Sequence, residues 1–346
     1  MKNAYSPKWP SKRCQLKRNI LILLILFTSL LCYSRYSAAA PGCQVTQSVG
    51  QISFGNIPSL NMVNKRQTAS ATDIGLTCGG GLLSILANTD KINAVISTTN
   101  NATLKNSNGS SIPYAMYRTS NYENKIAPNS VFNYNNPVIL GLLGLGNSNS
   151  INIPIYLKID PATYNLAAGT YTDSITVNWD WDVCAGINAL GICLGRSRGK
   201  STWLGNVSLV VQNDCMVNAP DINFGSAPLS SSFNPVTQTI TIYCTKGANY
   251  SVGLSNGANN SNTQRRLMFN SNYLNYEIYQ GSTNKLRWGK SSGERRLSTG
   301  ADINPGQGSG VSTSMQGFIY QAAILQGQAT PPAGVYTDTV ILDITF

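Results

Sequence analysis

The stretch Ala168-Gly169-Thr170-Tyr171-Thr172-Asp173-Ser174-Ile175-Thr176-Val177-Asn178-Trp179-Asp180-Trp181 lies, without a gap, over Ala333-Gly334-Val335-Tyr336-Thr337-Asp338-Thr339-Val340-Ile341-Leu342-Asp343-Ile344-Thr345-Phe346. Apolar and polar residues alternate in both, the period of a strand with one face in a core. Working outward, Cys43 to Trp181 and Cys215 to Phe346 read as two copies of one pattern. Ile52-Ser53-Phe54-Gly55 matches Ile222-Asn223-Phe224-Gly225, and the strand ending at Cys78 matches the one ending at Cys244. Ile112 to Tyr117 corresponds to Tyr273 to Tyr279, and Ile153 to Tyr156 to Phe318 to Tyr320. Short alternating runs divided by Gly, Asn and Pro, with no helical stripe, predict an all-β chain of two Ig-like antiparallel β-sandwiches.

Composition agrees with an exported chain. Charged residues make up 11% of the 346, and histidine is absent, which excludes Ser-His-Asp triads, Cys-His pairs and the usual zinc sites. No cofactor and no metal site is expected. Of the 25 Lys and Arg, seven lie in the first 35 residues with no acidic residue beside them, leaving 18 basic against 14 acidic. The net charge of +11 is therefore mostly a leader charge, and no nucleic-acid partner is expected. Residues 1–39 read as a signal peptide: basic residues to Arg18, an apolar run from Ile20 to Leu31, and Ser37-Ala38-Ala39 before the cut.

Cys14 and Cys32 leave with the leader, and the six that remain form a disulfide count. Their places in the repeat predict Cys43–Cys78 and Cys215–Cys244, with Cys184–Cys193 closing a small loop. Arg265, Arg266, Arg295 and Arg296 read as a solvated face. Gly141 to Gly146 imitates a nucleotide loop but lacks the following helix and acid.

The copies differ at their ends. After Trp181 the first continues through a loop into Val207-Ser208-Leu209-Val210-Val211, a strand that can close its sandwich. No such strand follows in the second, which predicts a groove lined by Ile222, Phe224, Val340, Leu342, Ile344 and Phe346. Completion by another route, with the strand near Ile222 switching sheets, stays open at this point.

The paired Cys and Phe-Gly openings and the Gly334-Val335-Tyr336-Thr337-Asp338-Thr339-Val340 ending resemble the spore coat protein U domain. Two such domains in one exported chain are similar to the tip adhesins of Csu-type archaic chaperone–usher pili. The resemblance implies an N-terminal tip adhesin domain over 40–212 and a C-terminal pilin domain over 213–346. It implies a strand-deficient second sandwich served first by a periplasmic pilus chaperone and an outer-membrane usher, then by the N-terminal donor strand of the next pilin subunit. It also implies export through the periplasm to an extracellular pilus. Only Ala40, Pro41 and Gly42 precede Cys43 after the cut, too few to fill a neighbour's groove, so the tip position is expected.

Three apolar insertions occur in the first copy only. They contain Leu82, Leu83, Ile85 and Leu86, then Val138, Ile139, Leu140, Leu142, Leu143 and Leu145, and finally Ile187, Leu190, Ile192 and Leu194. Connecting loops are normally polar, so three aliphatic ones predict either finger loops for a hydrophobic surface or segments buried against one another. A lectin-like reading rests on Trp179, Trp181 and Trp203 lying nearby. An enzyme needs convergent polar groups, and no motif supplies them.

Overall fold

The computed structural model describes residues 42–78, 90–133, 150–162, 165–189, 192–283, 286–310 and 314–346. The leader over 1–39 lies outside them, as do Leu82, Leu83, Ile85, Leu86, Val138, Ile139, Leu140, Leu142, Leu143, Leu145 and Leu190. The side chains of Cys78, Cys184, Ile187 and Leu194 are outside the description too.

The first copy forms β1 (Cys43–Val45), β2 (Val49–Pro58), β3 (Gln67–Ala71), β4 (Gly75–Cys78), β5 (Lys91–Thr98), β6 (Thr103–Lys105) and β7 (Ser111–Pro113). It continues with β8 (Ala115–Tyr117), β9 (Lys125–Ile126), β10 (Val131–Asn133), β11 (Ser150–Asn152), β12 (Ile155–Ile159), β13 (Gly169–Ala189) and β14 (Ile192–Gln212). The second forms β15 (Cys215–Asn218), β16 (Val236–Cys244), β17 (Ser251–Leu254), β18 (Arg265–Phe269), β19 (Asn272–Gln280), β20 (Arg296–Leu297), β21 (Gln316–Ile324) and β22 (Leu342–Thr345). One helical turn, Asn61–Asn64, buries Met62. The chain is all-β, in two sandwiches, as its alternation predicts.

In the first sandwich a sheet ordered β10-β5-β13-β14-β2 faces one ordered β3-β12-β8-β9, with β1-β4-β11 as a third, small sheet. Strict alternation fills the layer between them. Ile92, Ala94 and Ile96 of β5, Ile155, Leu157 and Ile159 of β12, and Ile175, Val177, Trp179 and Trp181 of β13 are all buried in one cluster. In the second sandwich β15-β16-β21-β19-β18 faces β20-β17-β22 around Ile240, Ile242, Val252, Leu254, Ile278, Trp288, Phe318 and Tyr320. The broken pair β3 and β4 becomes the single strand β16, and β5 and β13 become β17 and β22.

Two features depart from the sequence-based expectation. The segment after Trp181 is not a loop: β13 and β14 are 21 residues each and pair from Gly169↔Val211 to Ala189↔Ile192, with a register shift between Cys184 and Ile187. The third apolar insertion is thus the end of a hairpin. The four arginines are not a solvated face either. Arg265 is fully buried, donating to the carbonyls of Leu254 (3.0 Å) and Trp288 (2.9 Å) and paired with Glu277. Arg296 is buried, its guanidinium over Trp288 and Phe318 and paired with Asp302 at 2.9 Å. Arg295 is largely covered, and Arg266 stacks on Tyr273 at 3.9 Å.

The sandwiches touch where β14 ends. Ser59 and Thr245, both buried, share a hydroxyl bond of 2.7 Å, and Ala167 pairs with Lys246. Cys215 is bridged to Cys244, joining β15 to β16 across a sequence separation of 29. Cys43 and Cys193 are each in a disulfide, and Cys43 stands in register opposite Cys78. Closing a loop of that size contributes about 3 to 4 kcal/mol in the chain-entropy model. Cys215→Ser should therefore lower the unfolding free energy of the second sandwich by about that amount, read from its urea midpoint against the unchanged first transition. An unchanged midpoint would refute the assignment.

Candidate functional site

The repeated motif is a joint built twice. In each copy the tyrosine hydroxyl turns back to the carbonyl four residues upstream: Tyr171 donates to Ala167 and Tyr336 to Pro332, both at 2.8 Å. This is a tyrosine corner, which fixes the entry of the chain into its strand. The aspartate two residues on accepts from a tyrosine distant in sequence. Tyr114 donates to Asp173 Oδ2 at 2.9 Å, and Tyr276 to Asp338 Oδ2 at 2.8 Å. A backbone amide closes each network, from Asn100 at 2.9 Å and Asn259 at 3.0 Å. Neither tyrosine partner was singled out from sequence, although an aspartate inside an alternating apolar strand is a signal that something must pair with it.

From this joint the two copies diverge. In the first, β13 lies between β5 and β14, and β14 in turn pairs in parallel with β2, from Leu204↔Val49 to Gln212↔Pro58. Trp203, Val207, Leu209 and Val211 of β14 are buried. Trp203 lies so close over Gly50 and Gly205 that a Cβ at either would sit 2.5 and 2.2 Å from its ring. In the second, β22 pairs with β17, from Ser251↔Thr345 to Leu254↔Leu342. Among the described residues no strand pairs with its other edge. Residues 221–227, the counterpart of β2, belong to no strand.

The side chains record the same difference. Tyr171, Ile175, Val177 and Trp179 are buried, whereas their counterparts Tyr336, Val340, Leu342 and Ile344 are half-buried against the second core. Ile52 is 0% exposed, but its counterpart Ile222 is half-buried; Phe224, at 5.9 Å from the Tyr276 ring, is likewise half-buried. Phe346, the counterpart of buried Trp181, is 52% exposed. Of the six residues named for the groove, Ile222, Phe224, Val340, Leu342 and Ile344 are half-buried against the second core and Phe346 is exposed.

The described residues that flank the first two apolar insertions lie near the β13–β14 hairpin. Lys91 is in register with Asp182, Asn133 with Asn93, and Ser150 with Thr77. The Cys43 amide donates to Ser197 Oγ at 3.0 Å, beside Cys78 in register. The described residues that flank 79–89 and 134–149 thus stand abreast of the outer part of the β13–β14 hairpin. At its end Ile192 is 67% exposed. Trp179, Trp181 and Trp203 are all buried, so they offer no ring face to a sugar.

Comparison with known proteins agrees with this architecture. A family model for the Spore Coat Protein U domain matches residues 28–178 and 201–343, and the chain belongs to that family. Among solved structures, it is similar to the CsuC–CsuE chaperone–tip adhesion subunit pre-assembly complex from the archaic chaperone–usher Csu pili of Acinetobacter baumannii. That match has 25% identity and a TM-score of 0.58, and covers 88% of this chain and 100% of that one. CfaE, the adhesive subunit of CFA/I fimbria of enterotoxigenic Escherichia coli, matches at 12% identity and a TM-score of 0.29 over 50% of this chain and 49% of its own, too distant to carry an argument. No curated protein matches the sequence.

Burial, and then the adjacent aspartate, push the Tyr114 and Tyr276 hydroxyls well above the ordinary value of 10.0. Burial pushes Tyr320 up to about 12. A raised folded value means that the unfolded chain loses protons first, so the stability these groups contribute is complete below pH 10 and is lost as pH climbs through the folded values. The unfolding midpoint should stay level from neutral pH to about 9.5 and fall beyond about 10. Tyr276→Phe should flatten the fall in the second transition, and an alkaline profile unchanged by it would contradict the geometry.

Proposed function

We propose that the chain is an adhesive tip subunit of a chaperone–usher pilus, whose second sandwich accepts a strand from another chain and whose first sandwich attaches the cell to apolar surfaces. The observation that carries the reading is the open lane beside β22, flanked by side chains buried in the first copy and half-buried in the second. Fully burying an aliphatic side chain is worth about 1.5 to 3 kcal/mol, so a strand laid over Val340, Leu342 and Ile344 gains several such increments besides its ladder hydrogen bonds. The partners are a periplasmic chaperone, an outer-membrane usher, and then the N-terminal donor strand of the next subunit. Family membership and the likeness to a chaperone–tip adhesion subunit complex support this assignment.

One experiment tests the lane. The full chain is exported with and without a C-terminal extension that repeats the β14 sequence Trp203 to Gln212 behind a flexible linker. The extension should raise the yield of soluble monomer and the melting temperature of the second sandwich. No change in either would overturn the reading.

Attachment is assigned to the aliphatic insertions, with Leu82, Leu83, Ile85, Leu86, Val138, Ile139, Leu140, Leu142, Leu143 and Leu145, and to Ile187, Leu190, Ile192 and Leu194. Ile192, whose side chain is described, is exposed near the hairpin end. Pressing 200 Å² of apolar surface onto plastic gains roughly 5 kcal/mol before ordering costs, and many pili multiply it by avidity. Biofilm formation follows from such attachment. Binding should survive high salt, which screens charges. Replacing Leu142, Leu143, Leu145 and Ile192 with Ser should abolish attachment to plastic at unchanged pilus counts. Normal attachment with normal piliation, or inhibition by one particular sugar, would refute the assignment.

A further inference from the structure

Among the described residues β22 has a hydrogen-bonded strand, β17, on one edge only, and on the strand-acceptor reading its other edge is where an incoming strand pairs. In the first sandwich, the outward side chains of the equivalent strand lean on β14: Thr202 donates to Asn178 at 2.9 Å, and Lys200 pairs with Asp180 at 3.5 Å. The counterparts of Asn178 and Asp180 are Asp343 and Thr345, and these turn the other way, toward Arg295. Its guanidinium pairs with Asp343 Oδ2 at 2.7 Å, and donates to the Asp343 carbonyl at 3.3 Å and to Thr345 Oγ1 at 3.0 Å. The same group holds β17, through Ser251 Oγ at 2.9 Å and the Ser251 carbonyl at 3.0 Å.

The backbone beneath makes room for it. Gly253 lies between Ser251 and Leu254 on β17 and opposite Asp343; a Cβ there would sit 2.4 Å from Arg295 Nη1. Period-two alternation does the rest, since Arg296, the next residue, turns inward onto Trp288 and Phe318. Arg295 therefore spans β17 and β22 on the outer face of the sheet.

We infer that Arg295 is a strap that holds β22 against β17 while the neighbouring lane is empty, keeping the acceptor edge in register for a strand to add. The inference rests on the strand-acceptor reading of the groove. It assigns a positioning role to a residue that does not line that groove.

The test is hydrogen exchange on the full chain without any added strand, followed by titration with a synthetic peptide of the β14 sequence Trp203 to Gln212. In Arg295→Ala the amides of β22 should exchange about tenfold faster or more, while those of β16 and β21 keep their rates. Arg295→Lys, which reaches Asp343 but cannot also span Ser251 and Thr345, should recover part of the protection. Peptide binding should weaken in the same order. If Arg295→Ala does not fold, Asp343→Asn and Thr345→Val remove the strap from the other side and should show the same local loss. Unchanged β22 exchange, or an equal acceleration in β16, β21 and β22, overturns the strap. Failure of the wild-type chain to bind the peptide instead counts against the groove, and leaves the exchange comparison to decide the strap.

Discussion

Backbone amides and carbonyls along a half-buried strand need a partner on both edges, because each one left unpaired and dry costs as much as a lost hydrogen bond. β13 meets that demand with β5 on one side and β14 on the other. β22 meets it with β17 alone among the described residues. The rest of the second sandwich follows from this asymmetry. Ile222 and Phe224 sit half-buried where Ile52 and Phe54 are buried, and residues 221–227 make no ladder. Asp343 and Thr345 are secured from the outer face by Arg295.

Polar groups do in the second sandwich part of what apolar packing does in the first. Arg265, Glu277, Arg287 and Glu294 form a continuous network, with Arg287 at 2.9 Å from Glu277 and 2.7 Å from Glu294. Arg265 caps the carbonyls that end β17, and Trp288 donates to the Val252 carbonyl at 3.0 Å. A buried ion pair is weak evidence for net stability but is costly to break singly. Here its Arg265 donors end on the Leu254 and Ser255 carbonyls, at the end of β17, the strand against which β22 is laid.

The strand class, the two copies and the unmatched final strand were legible because alternation survives in every copy of the motif. The arginines were misread because their partners are distant. Arg265 meets Glu277 across the β18–β19 hairpin, and Arg296 meets Trp288 and Phe318 through the fold. Runs of charge carry no label for that. The tryptophans could have been placed correctly: Trp179 and Trp181 share parity with Ile175 and Val177, so they must face the core. The hairpin over 182–198 was hidden by its glycines and by Cys184 and Cys193, which punctuate it like a loop although its backbone pairs almost throughout.

The first sandwich sets the register for an added strand. Val177 pairs with Trp203 and Tyr171 with Leu209, so in the second sandwich Leu342 and Tyr336 should stand opposite the equivalent residues of an added strand. The direct measurement is disulfide trapping between Leu342→Cys in the full chain and β14-sequence peptides that carry a single cysteine at successive positions. The account predicts trapping at the position of Trp203, with the positions on either side failing to trap. Trapping displaced by one or more residues, or at no position, would contradict it.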